Sequence, residues 1–150
     1  MPNRNVHVPV GASSGLVAAL AAPMPWRGPY LVEVISALAG GVLGGRLPDI
    51  IDPPDSPRHR GFGHSITCAV IVEAGLSNFL MTLRTQIKDL DSEADMYLRN
   101  GYTIPSEVAS KLLMQRIAYG FCIGLGAGWL SHLAMDVCMP DGLRLINSKL

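Results

Sequence analysis

Ile117-Ala118-Tyr119-Gly120-Phe121-Cys122-Ile123-Gly124-Leu125-Gly126-Ala127-Gly128-Trp129-Leu130-Ser131-His132-Leu133-Ala134-Met135-Asp136 carries no formal charge until its last residue. Roughly 20 mostly apolar residues suffice for a helix to cross a bilayer. Period-two alternation is absent, and small and aliphatic residues dominate, so the stretch reads as a helix. Gly120, Gly124 and Gly128 recur every fourth residue and share one face. Interior glycine costs a helix in water about 1 kcal/mol relative to alanine. In lipid, small residues at this spacing let helices approach closely.

Three further apolar segments precede it: Val8–Pro23, Tyr30–Leu47 and Ser65–Leu83, each bounded by proline, glycine or charge. Gly11 with Gly15, and Gly40, Gly41, Gly44 and Gly45, repeat the four-residue spacing. Ser65–Leu83 has spanning length apart from Glu73, Tyr30–Gly45 is short and holds Glu33, and Val8–Pro23 is shorter and only weakly hydrophobic. Both glutamates lie away from the clustered face described below. Between the third and fourth segments, Arg84–Arg116 is polar and amphipathic, with Ile87, Leu90, Ala94 and Leu98 at helical spacing. Tyr102-Thr103-Ile104-Pro105 interrupts it, and Ser106 with Glu107 marks a new helix start. The expectation is an all-α single domain over residues 1–150: a small bundle of about four apolar, transmembrane helices plus a polar helical insert at 84–116. A soluble up-down bundle is the alternative.

Composition agrees with a membrane setting. Hydrophobic residues make up 49 % of the chain and charged ones 16 %, against about 25 % charged in average soluble domains. Mean hydropathy is +0.29. Zero formal net charge and 6 % aromatic residues argue against direct nucleic-acid binding, which needs a basic footprint or stacking surface. The three cysteines, Cys68, Cys122 and Cys138, have no CxxC spacing, so reduced, packed thiols are expected. Val8–Met24 lacks the h-region and cleavage pattern of a signal peptide, and is read as mature sequence. The 12 basic residues divide evenly between the two faces of a four-span topology, so the positive-inside rule assigns no orientation.

That topology has a chemical consequence. Four spans place the N-terminus, the 46–63 loop and the C-terminus on one side. His7, Asp49, Asp52, His59, His64, His132 and Asp136 then gather at one face. Neutral imidazole and carboxylate form the ligand set of Zn²⁺ and similar ions. His132 and Asp136 are four residues apart, so a helix projects both from one face. His59 and His64 flank Arg60-Gly61-Phe62-Gly63, where two glycines let the loop turn back. Ser65 is placed to cap the third helix. Asp49 and Asp52 follow the end of the second helix, where a carboxylate is electrostatically disfavoured and calls for a nearby positive charge.

The motifs Leu47-Pro48-Asp49-Ile50-Ile51-Asp52, His59-Arg60-Gly61-Phe62-Gly63-His64-Ser65 and Ser131-His132-Leu133-Ala134-Met135-Asp136, followed by Pro140 and Gly142, together with the early His7, resemble the membrane-bound metal-dependent hydrolase family, the inner-membrane hydrolases described as LexA-binding. The resemblance runs from His7 to Leu145. It implies a small multi-pass bacterial inner-membrane protein with metal-dependent hydrolase activity. More loosely, the chain is similar to the helical zinc phospholipase C and nuclease enzymes, which gather His and Asp from several helices, and this favours phosphoester cleavage. One departure stands out: the family pattern has one residue between the two aspartates, whereas this chain has Ile50 and Ile51.

The expected function is hydrolysis of a phosphoester, a lipid phosphoester among the candidates, at a divalent metal, foremost Zn²⁺. The expected metal ligands are His7, Asp49, His59, His64, His132 and Asp136. Asp52 is the expected base or orienting group, and Arg60, with Arg58, the phosphate clamp. Membrane lipids are expected neighbours, and the glycine faces offer a surface for homo-oligomerisation. The competing reading is a non-enzymatic membrane scaffold or subunit with a structural metal or polar cluster, docking through 84–116. A transporter-like element ranks below both, because no broken-helix repeat is present.

Overall fold

A computed structural model describes residues 4–22, 31–53 and 62–138. Among the described residues five helices run in chain order: α1 Arg4–Ala21, α2 Leu31–Gly44, the short α3 Leu47–Ile51, α4 Ile66–Arg99 and α5 Ser106–Val137. A 3₁₀ turn, Phe62–His64, leads into α4. The protein is an all-α helical bundle, as the apolar segments imply. Among the described residues three stretches are long and apolar enough to cross a membrane: Leu31–Ile51, α4 and α5; the apolar part of α1, Val6–Ala21, is shorter.

α5 is the axis. α2 lies along it, α1 packs on both, and α4 packs chiefly against α5. The glycines set these distances. A Cβ on Gly120, Gly124 or Gly128 would fall on the backbone of α2, at Glu33, Ala37 and Gly41. One on Gly40 or Gly44 would fall on the carbonyls of Phe121 and Leu125, and one on Gly11 or Gly15 on Gly41 and Ala37. The faces that offered a surface for self-association are thus engaged within the chain. Gly124→Ala is accordingly expected to push α2 from α5 and cost about 1–3 kcal/mol, the usual range for overpacking. The check is a lower thermal midpoint in detergent, with Gly75→Ala, where a Cβ meets nothing within 4 Å, as the silent control.

The polar stretch 84–116 is helical, made of the distal part of α4, a turn over residues 100–105 and the first turns of α5, which begins at Ser106 where the sequence marks a new helix start; each helix passes from its apolar part into this stretch without a break. Polarity there marks the water boundary and not a helix boundary. The inner face stays apolar: Leu83, Ile87 and Tyr119 form a buried cluster with Leu80, Leu112, Ala118 and Ile123 around it. Gln115 Nε2 donates to Gln86 Oε1 at 3.2 Å across the same seam. At 1.5 Å per residue, the 34 residues of α4 extend about 50 Å, some 20 Å more than the roughly 30 Å hydrocarbon core. The α4–α5 hairpin therefore stands out of the bilayer.

Its turn is closed by the backbone. Tyr102 N donates to Tyr97 O at 2.9 Å and Gly101 N to Leu98 O at 3.1 Å. This is the Schellman pattern, whose left-handed residue is usually glycine; Gly101 has φ 76°.

Near that end of the bundle, Glu33 on α2 is fully buried and forked by Arg116 of α5, through Nε to Oε1 and Nη2 to Oε2 at 3.1 Å. The opposite end gathers the N-terminus of α1, the C-terminal side of α2 with α3, the start of α4 and the C-terminus of α5. Exposed apolar side chains, among them Val17, Ile35, Val70, Phe79 and Leu130, face outward along the helices, as lipid contact demands.

Candidate metal centre

Each helix delivers its group for a local reason. Ser65 caps α4: its Oγ accepts from Cys68 N at 3.1 Å and donates to Phe62 O at 2.7 Å. This fixes the turn that carries His64. Pro48 opens α3, where its missing N–H costs nothing, and the short helix presents Asp49. On α5, His132 and Asp136 project from one face, one turn apart, and both are buried. His7 comes from the first turns of α1 and is buried too.

These side chains meet. His64 Nε2 and His132 Nε2 lie 3.3 Å apart. Asp49 Oδ1 is 3.5 Å from the first and 3.6 Å from the second. Asp136 Oδ2 is 3.5 Å and 3.4 Å from the same two nitrogens. The His7 ring stacks on His132 with centroids 4.0 Å apart and planes 24° apart. Two sets, His7–His132–Asp136 and Asp49–His64–His132, each bring one ligand atom per residue within 4.8 Å of one another.

The tautomers suit ligation. His132 Nδ1 is 2.7 Å from Gly45 O. A carbonyl only accepts, so Nδ1 carries the proton and Nε2 presents a lone pair to the cluster. Asp52 Oδ2 accepts from Gly63 N at 2.6 Å and lies 3.5 Å from His64 Nδ1. It stands behind His64, the place of a carboxylate that orients an imidazole.

Two imidazole nitrogens and two carboxylates converging in a buried volume is costly without a cation among them. Tetrahedral ligands bonded at about 2.0–2.1 Å to Zn²⁺ sit about 3.3–3.4 Å apart. The separations of 3.3–3.6 Å around His64 and His132 match that spacing. His7 Nδ1 is buried with no hydrogen-bond partner, a further donor facing the same region. The residues fit a divalent metal.

Of the residues expected at the site, the structure brings together His7, Asp49, His64, His132 and Asp136, with Asp52 behind His64. His59, Arg58 and Arg60 lie outside the described residues. Glu33 is paired with Arg116, and Glu73 lies beside Gly126 on the α4–α5 seam. One participant escaped sequence reasoning. The Gly45 carbonyl has no side-chain signature; its only signal is a glycine pair at the end of α2. Arg46, the next residue and one of the positive charges the sequence offers beside Asp49 and Asp52, lines a cavity with His7, Asp49, Ile50 and Pro53.

Asp52→Asn is expected to keep the cluster but lower metal affinity about 10–100-fold, as loss of an outer carboxylate does. Competition against a chromophoric chelator measures it; unchanged affinity would remove Asp52 from this role.

No curated protein and no solved structure matches the chain. The family described as YdjM inner membrane protein matches residues 1–147, nearly the whole length, spans and clustered histidines included. With three apolar helices of spanning length behind that match, the chain is a multi-pass inner-membrane protein and belongs to the YdjM inner membrane protein family.

Proposed function

We propose that the protein is a metal-dependent hydrolase acting on a phosphoester at the membrane surface. The observation that carries this reading is the convergence of His64 Nε2, His132 Nε2, Asp49 Oδ1 and Asp136 Oδ2 at 3.3–3.6 Å. Zn²⁺ is the ion best suited to this donor set, with His64, His132, Asp49, Asp136 and His7 to hold it. A divalent ion bound there would supply Lewis acidity and lower the pKa of its water to about 7.

The protein's own groups do the rest. Gly45 O holds His132 in the tautomer that faces the cluster. Asp52, itself held by Gly63 N, orients His64. Arg60 and Arg58 are the proposed clamp for the phosphoryl oxygens, as the sequence motif suggests.

A metal-bearing scaffold without turnover is the competing reading, and one observation favours it: the cluster ties together the ends of α1, α2–α3, α4 and α5, as a structural metal does. Structural sites are closed, whereas catalytic sites keep a position open to substrate. The cavity walled by His7 and Asp49 gives access to the cluster and supports the enzyme.

The test is elemental analysis of detergent-purified protein, wild type beside His132→Ala, followed by a phosphoester hydrolysis screen. Zinc near one or two per chain, lost in the variant together with hydrolysis, is the expected result. Full metal stoichiometry in His132→Ala would overturn the assignment. Metal without turnover on any phosphoester would leave the scaffold.

A further inference from the structure

Beside the cluster lies a cavity of about 360 Å³ lined by His7, Arg46, Asp49, Ile50 and Pro53. Its size falls at the lower end for small-molecule sites, roughly 300–1,000 Å³. Two of its walls, His7 and Asp49, also belong to the His/Asp groups, so a molecule in the cavity reaches the candidate metal centre directly. The other walls divide by chemistry: Arg46 is cationic, Ile50 and Pro53 are apolar.

Arg46 sits in the tight turn between α2 and α3, where its N–H bonds Leu43 O at 3.0 Å. Its side chain is exposed and enters no ion pair among the described residues. The turn fixes the Arg46 backbone, and the residue lines the cavity beside the candidate metal centre, where its planar fork of donors suits phosphate oxygens. Ile50 and Ile51 are 60 % and 47 % exposed on the five-residue α3. Both belong to the stretch Leu31–Ile51, apolar enough to cross the membrane. The cavity therefore lies where the second helix leaves the bilayer, at headgroup level. Exposed isoleucine beside exposed arginine is the pattern of a surface that meets an apolar chain and an anion together.

We propose that Arg46 and this cavity bind the phosphate group of a membrane amphiphile, a phosphomonoester lipid whose apolar part lies along Ile50 and Pro53. The inference rests on the metal-centre reading in one respect: Asp49 repels an anion unless a cation neutralises it. Arg46 is then a specificity-determining residue, and the substrate enters from the membrane rather than from solution.

The experiment is calorimetric titration of the zinc-supplied full chain in detergent with short-chain phosphatidate and, separately, inorganic phosphate, zinc content being read in each sample. Wild type is compared with Arg46→Ala, Arg46→Lys and Ile50→Ser. Wild type is expected to bind phosphatidate at least about tenfold tighter than inorganic phosphate. Loss of charge-assisted hydrogen bonds should weaken both ligands about 10–100-fold in Arg46→Ala, with zinc content unchanged and Arg46→Lys in between. Ile50→Ser should weaken phosphatidate alone. Wild-type affinity in Arg46→Ala overturns the proposal, and equal affinity of wild type for the two ligands overturns its lipid half. Wild type without zinc sinks the metal reading, whereas zinc-loaded wild type that binds neither phosphate sinks this inference alone.

Discussion

Arg116→Met is expected to destabilise the bundle by about 3–5 kcal/mol, the loss seen when one partner of a buried ion pair is removed. Glu33 has no exposed surface, and the Arg116 side chain is only 14 % exposed. Without the guanidinium, the carboxylate is left inside the α2–α5 contact, where Gly120 brings the backbones together. Glu33 lies in the first turn of α2, so the helix dipole offsets part of the loss. The double variant Glu33→Gln/Arg116→Met should recover most of it, because removing both charges removes the desolvation penalty as well. Unfolding in mixed micelles, followed by circular dichroism, checks both. A single variant as stable as wild type would show that the pair does not hold the bundle. A double variant as weak as the single one would show that Arg116 acts through packing instead.

The same pair shows why some of this molecule is legible in its residues and some is not. Glu33 in an apolar segment signals a buried partner, but Arg116 stands 83 positions away, and no local pattern links them. The glycine spacing of α5 marks a close helix contact without naming the partner, so self-association and internal packing are equal until α2 is seen against Gly120, Gly124 and Gly128. Arg84–Arg116 looks like a separate element because composition changes at Leu83. The helix ignores that change, since hydrogen bonding inside a helix does not depend on whether lipid or water surrounds it. The site is more legible than the packing. Alternating helix directions alone bring His7, Asp49, His64, His132 and Asp136 to one end. The backbone groups that orient them, Gly45 O and Gly63 N, leave no trace in residue type.

Chelation should then act on the whole fold. The cluster draws on α1, α3, the turn before α4, and α5, so an ion held by it closes the bundle at the end opposite the Glu33–Arg116 pair. An ion that binds only the folded state stabilises it by about 4 kcal/mol when free metal stands near 1,000 times its Kd. Wild type stripped with a strong chelator is therefore expected to lose a substantial part of its detergent stability and regain it on addition of Zn²⁺. His64→Ala and His132→Ala should start near the stripped value and respond to neither treatment. The two substitutions should also be far from additive, because each already removes the shared ion and the second has little left to lose. Packing alone predicts the opposite: additive losses, and a wild type indifferent to chelator. A wild type whose stability follows zinc while the variants ignore it is the outcome that only a shared ion explains, since packing by itself does not respond to a chelator.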